Sequence, residues 1–344
     1  MSYDEELADL FTTNSDALTV CGACQWHCTL APGELGRCHM RVGTATGLAL
    51  LNHGLIAGAT IGPIEDHRFW HFFPDSQVLG IGGWGYATVT DQGRGPYGSI
   101  PEDPTKRRKL DADRAANFAL ERLCRGVVWA YGEPAVNHEY VRGLLQLSRA
   151  SSRYTAIITT GAMTEEAFDQ IGHYLDGFSL DLRGFSDASY ARLGGLPNWR
   201  GVLAIAERAR HRWHCHIEVT TRIHHGVNHD PEELRALIGW IKSALGEHTP
   251  WHVLPGDAGS ETAAATMRAR RLAHELGLHY VYGAETNQQT RCPSCQQTLI
   301  TRTNGVARLV GLNGAACASC GHETKLHTSM YKQQQQRESR SGTE

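Results

Sequence analysis

No stretch of this 344-residue chain is apolar for long enough to cross a bilayer. Its longest apolar runs, such as Gly47 to Ile56, fall far short of the roughly 20 residues a spanning helix needs. The acidic start, Met1-Ser-Tyr-Asp-Glu-Glu, has neither the charged nor the apolar region of a signal peptide. An excess of one charge is also missing. Lys and Arg total 33 against 36 Asp and Glu, which gives no general pull toward nucleic acid or an anionic membrane. Neither is expected as a partner, and the expected location is the cytoplasm. In that reducing setting, cysteines packed in groups read as metal ligands more readily than as disulfides. Eight of the ten cysteines fall in two groups of four, while Cys124 and Cys215 stand apart.

The length suits one large α/β domain with small satellites. Residues 1–76 are polar and then glycine-rich around Cys21, Cys24, Cys28 and Cys38, and read as a small metal-nucleated module. From 77 to 285, short apolar runs alternate with amphipathic ones, the signature of repeated β-α units in a parallel barrel or partial barrel. The strand candidates are Val78–Gly82, Gly126–Tyr131, Tyr154–Thr159, Gly177–Asp181, Trp213–Thr220, Trp251–Leu254 and His279–Tyr282. Helices are expected at 110–124, 139–149, 164–171, 202–211, 231–245 and 261–276. Asp230-Pro231-Glu232-Glu233 supplies an N-cap, a first-turn proline and first-turn acids for one of them. Residues 286–330 carry the second cysteine group, and 331–344, with four consecutive glutamines, read as a disordered tail.

Cys292-Pro-Ser-Cys295 and Cys317-Ala-Ser-Cys320 are separated by 21 residues. Each Cys-x-x-Cys knuckle aims two thiolates at one ion, and two knuckles complete a tetrahedron. Zinc is the expected occupant, in a ribbon whose hairpin lies within Thr298 to Gly311; rubredoxin-type iron shares the same geometry. The N-terminal spacing, Cys21-x2-Cys24-x3-Cys28-x9-Cys38, closes a four-thiolate site but does not choose between zinc and a [4Fe-4S] cluster. His27 and His39 stand beside these ligand positions and read as exposed neighbours.

The run from Cys21 through Trp26, Pro32 and Gly36 to Arg41 resembles the opening of the radical S-adenosylmethionine (SAM) component of the AmmeMemoRadiSam system, a relative of pyruvate formate-lyase activating enzymes. Gly62-Pro-Ile-Glu65 with Phe69-Trp-His71-Phe72, and Tyr131-Gly-Glu133-Pro134, follow in family order. So do Thr159-Thr160-Gly161, Asp181-Leu-Arg183-Gly184, Thr221 to Asp230, Pro250-Trp-His252-Val253 and Val281-Tyr-Gly283. The resemblance spans residues 18 to 323. It implies an open (β/α)6 partial barrel with both cysteine modules attached, and partners of the Memo type.

The resemblance also implies a catalytic cluster held by C-x3-C-x2-C just after the first strand. Three thiolates leave one iron open for SAM. Here Val78 to Gly82 is followed by Gly83-Trp-Gly-Tyr86-Ala-Thr-Val-Thr90-Asp-Gln-Gly93, with Tyr86, Thr90 and Gly93 at the cysteine positions. None of the three is a thiolate, so reductive cleavage of SAM is expected to be absent. By resemblance, Glu133, Asp181 and Arg183 face the ligand of a residual SAM-like pocket. Without the iron, SAM affinity is expected to fall, and the lumen is left for a small-molecule ligand.

Six histidines lie between His211 and His229. Strand alternation places His214, His216, Glu218 and Thr220 on one face. With His252 on the next strand, this makes a nitrogen and oxygen ligand set, or acid-base groups, for replacement chemistry in which Glu133 would also take part. The plainer reading is a set of lumen histidines bonded to their neighbours. Three functions follow as expectations: a metal-stabilised scaffold or binding subunit, an enzyme with lumen chemistry built on Glu133, His216, Glu218 and His252, and an electron-transfer protein using the N-terminal cysteines.

Overall fold

The computed structural model describes residues 8–92 and 97–329. Its centre is a nine-stranded sheet. The strands are β1 (Leu55–Pro63), β2 (Gln77–Gly83), β3 (Arg108–Lys109), β4 (Gly126–Tyr131), β5 (Tyr154–Thr159), β6 (Gly177–Asp181), β7 (His216–Ile223), β8 (Trp251–Pro255) and β9 (Val281–Tyr282). The order is β9-β8-β7-β6-β5-β4-β2-β1-β3. From β2 through β9 the sheet strands β2 and β4 to β9 are parallel and follow one another in sequence order, whereas β1 lies antiparallel to β2 and β3 antiparallel to β1. β1 lies within the segment 1–76 expected as a separate module, yet it hydrogen-bonds along the length of β2.

The crossovers are α1 (Ala112–Glu121), α2 (His138–Ala150), α3 (Glu165–Gly172), α4 (Asp187–Leu193), α5 (Arg200–His211), α6 (Pro231–Trp240) and α7 (Ser260–Glu275). Right-handed crossovers are the rule for parallel strands, and in unbroken sequence order they put these seven helices on the same side of the sheet. The strands are accordingly apolar on the helix side: Leu79, Ile81, Val127, Trp129, Ile157, Phe178, Leu180, Ile217, Val219, Trp251 and Val253 join one core with the helices. α6 begins as its sequence dictates, with the Asp230 carboxylate accepting from Glu232 N at 2.9 Å and Glu233 N at 3.1 Å.

The opposite face carries small residues because chain packs directly on it. Residues 64–76, entering through the 3-10 turn Ile64–His67, lay Phe69, Phe72 and Phe73 against Val78, Val128, Tyr154 and Ala156. A Cβ at Gly80 would stand 2.4 Å from the His67 ring, and one at Gly177 would stand 2.9 Å from Phe72. Residues with side chains at these two sites would expel the plug.

Two small modules flank the sheet. N-terminally, Phe11–Thr13, Thr19–Cys21 and Thr29–Leu30 form a three-stranded sheet, and Arg41–Gly43 pairs with Leu48–Leu50. C-terminally, Gln288–Arg291, Thr298–Thr303 and Val306–Leu309 form an antiparallel ribbon. Its hairpin turns at Asn304-Gly305, both with positive φ (50° and 80°), the turn chemistry that matches strand twist.

One strand expectation needs correction. β7 begins at His216, not Trp213, because α5 runs to His211 and His214 adopts a left-handed φ of 53° before the strand starts. His214 is therefore no part of the face formed by His216, Glu218 and Thr220. α4 was not anticipated. The expected tail 331–344 and Gly93 lie outside the described residues.

Candidate site at the strand ends

The C-terminal ends of β2, β4 and β5 meet at Glu133. Its carboxylate is 2 % exposed. One oxygen accepts from Thr159 Oγ1 at 2.5 Å, and the other from Thr160 N at 3.0 Å and Thr160 Oγ1 at 2.7 Å. Burial raises the carboxyl above its ordinary range, against the downward pull of these threonine bonds. Just past the end of β6, the Arg183 guanidinium forms a fork with Asp91 at 3.1 and 2.8 Å and reaches Asp181 at 3.1 Å. The two acids hold its charge more firmly than burial opposes it.

Asp91 belongs to the loop after β2, which is tied down at several points. Trp26 Nε1 donates to Ala87 O at 2.7 Å, Thr90 Oγ1 donates to Leu193 O at 2.7 Å, and Thr88 bonds Asp91. Tyr86, half-buried in the same loop, has its hydroxyl pushed up to about 12 by burial and by the negative charges of Asp91 and Glu133. Sequence reasoning missed Asp91, whose role depends on a contact across 92 residues. Asp181 Oδ1, Arg183 Nε and Thr220 Oγ1 are buried here without hydrogen-bond partners. Groups of this kind are what a polar ligand or water addresses.

The radical SAM superfamily model matches residues 92–241. Over these residues the chain is similar to the radical SAM superfamily. The uncharacterized protein MJ0808 of Methanocaldococcus jannaschii is 26% identical over 321 residues, covering 89% of this chain and 95% of its own length. Among solved structures, a domain of a pyruvate-formate lyase-activating enzyme from Bacteroides vulgatus aligns at 18% identity and TM-score 0.40. That alignment covers 46% of this chain and 99% of the domain. A radical SAM methyltransferase from Sphaerobacter thermophilus aligns at 15% identity and TM-score 0.47, covering 66% of this chain and 71% of its own.

The residues of the β2 loop do not fit the cluster that gives radical SAM chemistry its name. The match to the superfamily begins at residue 92, past Tyr86 and Thr90. The loop offers a phenol and a hydroxyl already bonded to Leu193 O, and among the described residues it contains no thiol. Cys124 is at the other end of the sheet, two residues before β4. No catalytic step through iron is derived from these residues.

The set of Glu133, His216, Glu218 and His252 is brought together in part. Glu218 is fully buried at the N-terminal half of β7, accepting from His71 N at 2.8 Å, His216 Nε2 at 3.0 Å and His252 Nε2 at 2.8 Å. Burial alone would raise this carboxyl, but the two imidazoles pull it well below the usual range. His71 Nε2 continues to Tyr282 Oη at 2.7 Å, Tyr282 to Thr290 Oγ1 at 2.7 Å, and Arg302 bonds both Thr290 Oγ1 and Trp70 O at 2.9 and 2.6 Å. The network ties ribbon, plug and sheet. Glu133 is not part of it: it lies at the other end of the strands, bonded to Thr159 and Thr160. His216, Glu218 and His252 are absent from the ligand groups that the described residues bring within 4.8 Å of one another.

The two cysteine modules differ in spacing. Cys292 and Cys320 sulfurs are 3.7 Å apart, Cys295 and Cys317 3.6 Å, and all four lie within 4.8 Å of one another. A tetrahedral ion with bonds of about 2.3 Å separates its sulfurs by about 3.8 Å, so this group can hold one metal ion. The knuckles are alike, with Gln296 N donating to Cys292 O and Gly321 N to Cys317 O at 2.9 Å, each turn closed by a positive φ. Cys21, Cys24, Cys28 and Cys38 line a single cavity with Arg41, Ala135 and Val136, but no three of them meet the same 4.8 Å limit. Arg41 is 2% exposed beside them and is held by Glu139 at 3.0 and 2.7 Å. His27, between Cys24 and Cys28, and His39, just after Cys38, both have left-handed φ and join no ligand group among the described residues.

Proposed function

We propose that this protein is a non-radical member of its superfamily: a metal-stabilised scaffold or binding subunit whose sheet curls into a partial (β/α)6 barrel and whose rim binds a small polar ligand. The observation that carries the reading is the β2 loop, which supplies no thiol and is fixed over the strand ends by Arg183, Leu193 O and Trp26. Asp181 Oδ1, Arg183 Nε and Thr220 Oγ1 remain for the ligand. Residues 1–76, 77–285 and 286–330 act as cysteine module, barrel and zinc ribbon, with zinc on Cys292, Cys295, Cys317 and Cys320. The protein works in the cytoplasm with Memo-like or related partner proteins.

Anaerobic reconstitution with iron and sulfide, followed by SAM and dithionite, tests this. No 5′-deoxyadenosine above a buffer control is the expected result, and stoichiometric or catalytic release sinks the proposal.

A second reading, electron transfer through the N-terminal thiols, is favoured by their spread. Four sulfurs too far apart for one ion, around one cavity, suit a polynuclear iron-sulfur cluster better than zinc. Iron and acid-labile sulfide in the reconstituted chain, lost in C24A, support it; their absence after reconstitution refutes it.

A further inference from the structure

We propose a third metal site, for a divalent ion such as Zn2+, formed by Glu247, His248 and His279 and completed by His322 of the ribbon. It lies where the loops entering β8 and β9 meet, at the end of the sheet away from Glu133. The two loops are held together by main chain, since His279 N donates to Glu247 O at 3.1 Å and Trp251 N to Tyr280 O at 2.9 Å. One ligand atom from each of Glu247, His248 and His279 falls within 4.8 Å of the others. A Glu247 oxygen is 3.8 Å from His248 Nε2 and 3.5 Å from His279 Nε2, with the two rings 4.7 Å apart. Nitrogen and oxygen ligands at about 2.1 Å from a tetrahedral ion stand about 3.4 Å apart, so closing the site needs shifts of a few tenths of an ångström.

The fourth position is indicated by His322, two residues beyond the metal-binding Cys320. Its ring is 6.2 Å from that of His248. His322 Nε2 is buried without a hydrogen-bond partner. A buried imidazole nitrogen without a partner is an unmet demand that an ion or a donor satisfies. The nearby cation, Lys325, is engaged by Glu323 at 3.4 Å. Two histidines, a carboxylate and a histidine from another module make an ordinary donor set for zinc. An ion there would staple the ribbon to the sheet's lower edge, independently of whatever the rim binds.

The untagged full-length chain, stripped by a chelator under reducing conditions, is titrated with Co2+. Thiolate-bound cobalt has an intense charge-transfer absorption that nitrogen and oxygen ligands do not give, so the sites are counted separately. The wild type is expected to take up one more Co2+ per chain than H248A/H279A, with the thiolate band unchanged, and H322A to weaken that equivalent at least tenfold. Equal stoichiometry in wild type and double variant overturns the site. If the double variant loses the thiolate band, E247Q decides: an unchanged count and affinity in that variant overturns the site, and a weakened third equivalent supports it. An H322A titration identical to wild type removes His322 from the ligand set.

Discussion

Replacing Glu218 by alanine strips the acceptor from three buried donors at once: His71 N, His216 Nε2 and His252 Nε2. A buried donor left without a partner costs about 1–3 kcal/mol, so the three together give about 3–6 kcal/mol once water re-enters part of the space. Domains of ordinary stability have about 5–15 kcal/mol in total, which makes E218A a candidate for partial unfolding at room temperature. E218Q keeps the shape and two acceptor lone pairs while losing the charge, and is expected to cost about 1.5–3 kcal/mol. Urea unfolding at pH 7.5, followed by tryptophan fluorescence and by circular dichroism, reads both. Trp70 and Trp251 report locally, because Trp70 packs edge-on to His252 at 5.1 Å. A loss below 1 kcal/mol for E218A would refute the structural role of the network. A gain in stability would go further, pointing to a strained functional carboxylate.

The same network sets the acid limit. Burial lowers the pKa of His71 and His252 from their ordinary 6.5, so both are neutral when folded and take up protons on unfolding. Stability should be level above about pH 7.5 and fall below about pH 6.5 by about 1.4 kcal/mol per pH unit per imidazole. Glu218 has linkage of the same sign in a lower window: its depressed carboxyl contributes fully above about pH 4.5, is lost only as pH falls below that, and leaves this window unaffected. Urea midpoints equal at pH 7.5 and 5.5 would count against both assignments. Stripping metal from Cys292, Cys295, Cys317 and Cys320 is expected to melt the ribbon, whose own core is little more than Leu299, Ile300, Ala307 and Leu326. Amide exchange should lose protection over 288–309 before the sheet does, and protection unchanged by chelation would show that the ribbon does not depend on metal.

The parallel strands were legible because they are buried on both faces and so read as apolar runs between helices capped by residues such as Asp230. The ribbon was legible from its two knuckles and Asn304-Gly305. β7 was placed three residues early because alternation in Trp213 to His216 is indistinguishable from strand pattern until His214 turns left-handed. His216 and His252 were legible as candidates, but their bonding was not: nothing local in the sequence says that His71 N and His252 meet Glu218, 147 and 34 residues away. The Asp91–Arg183 fork and the Glu247, His248 and His279 grouping escaped for the same reason. Each is made by sheet order, and spacing along the chain carries no trace of it.

The plug has a temporal consequence. Its main chain is paired with residue 327, His327 N donating to His71 O and His327 O accepting from Phe73 N. Phe69, Phe72 and Phe73 cannot be fully secured until residue 327 has been made. During translation, three aromatic rings and the first strands therefore wait for a closing segment some 250 residues downstream. The segment that leads out of the ribbon, at residue 327, is the part that bolts the plug shut.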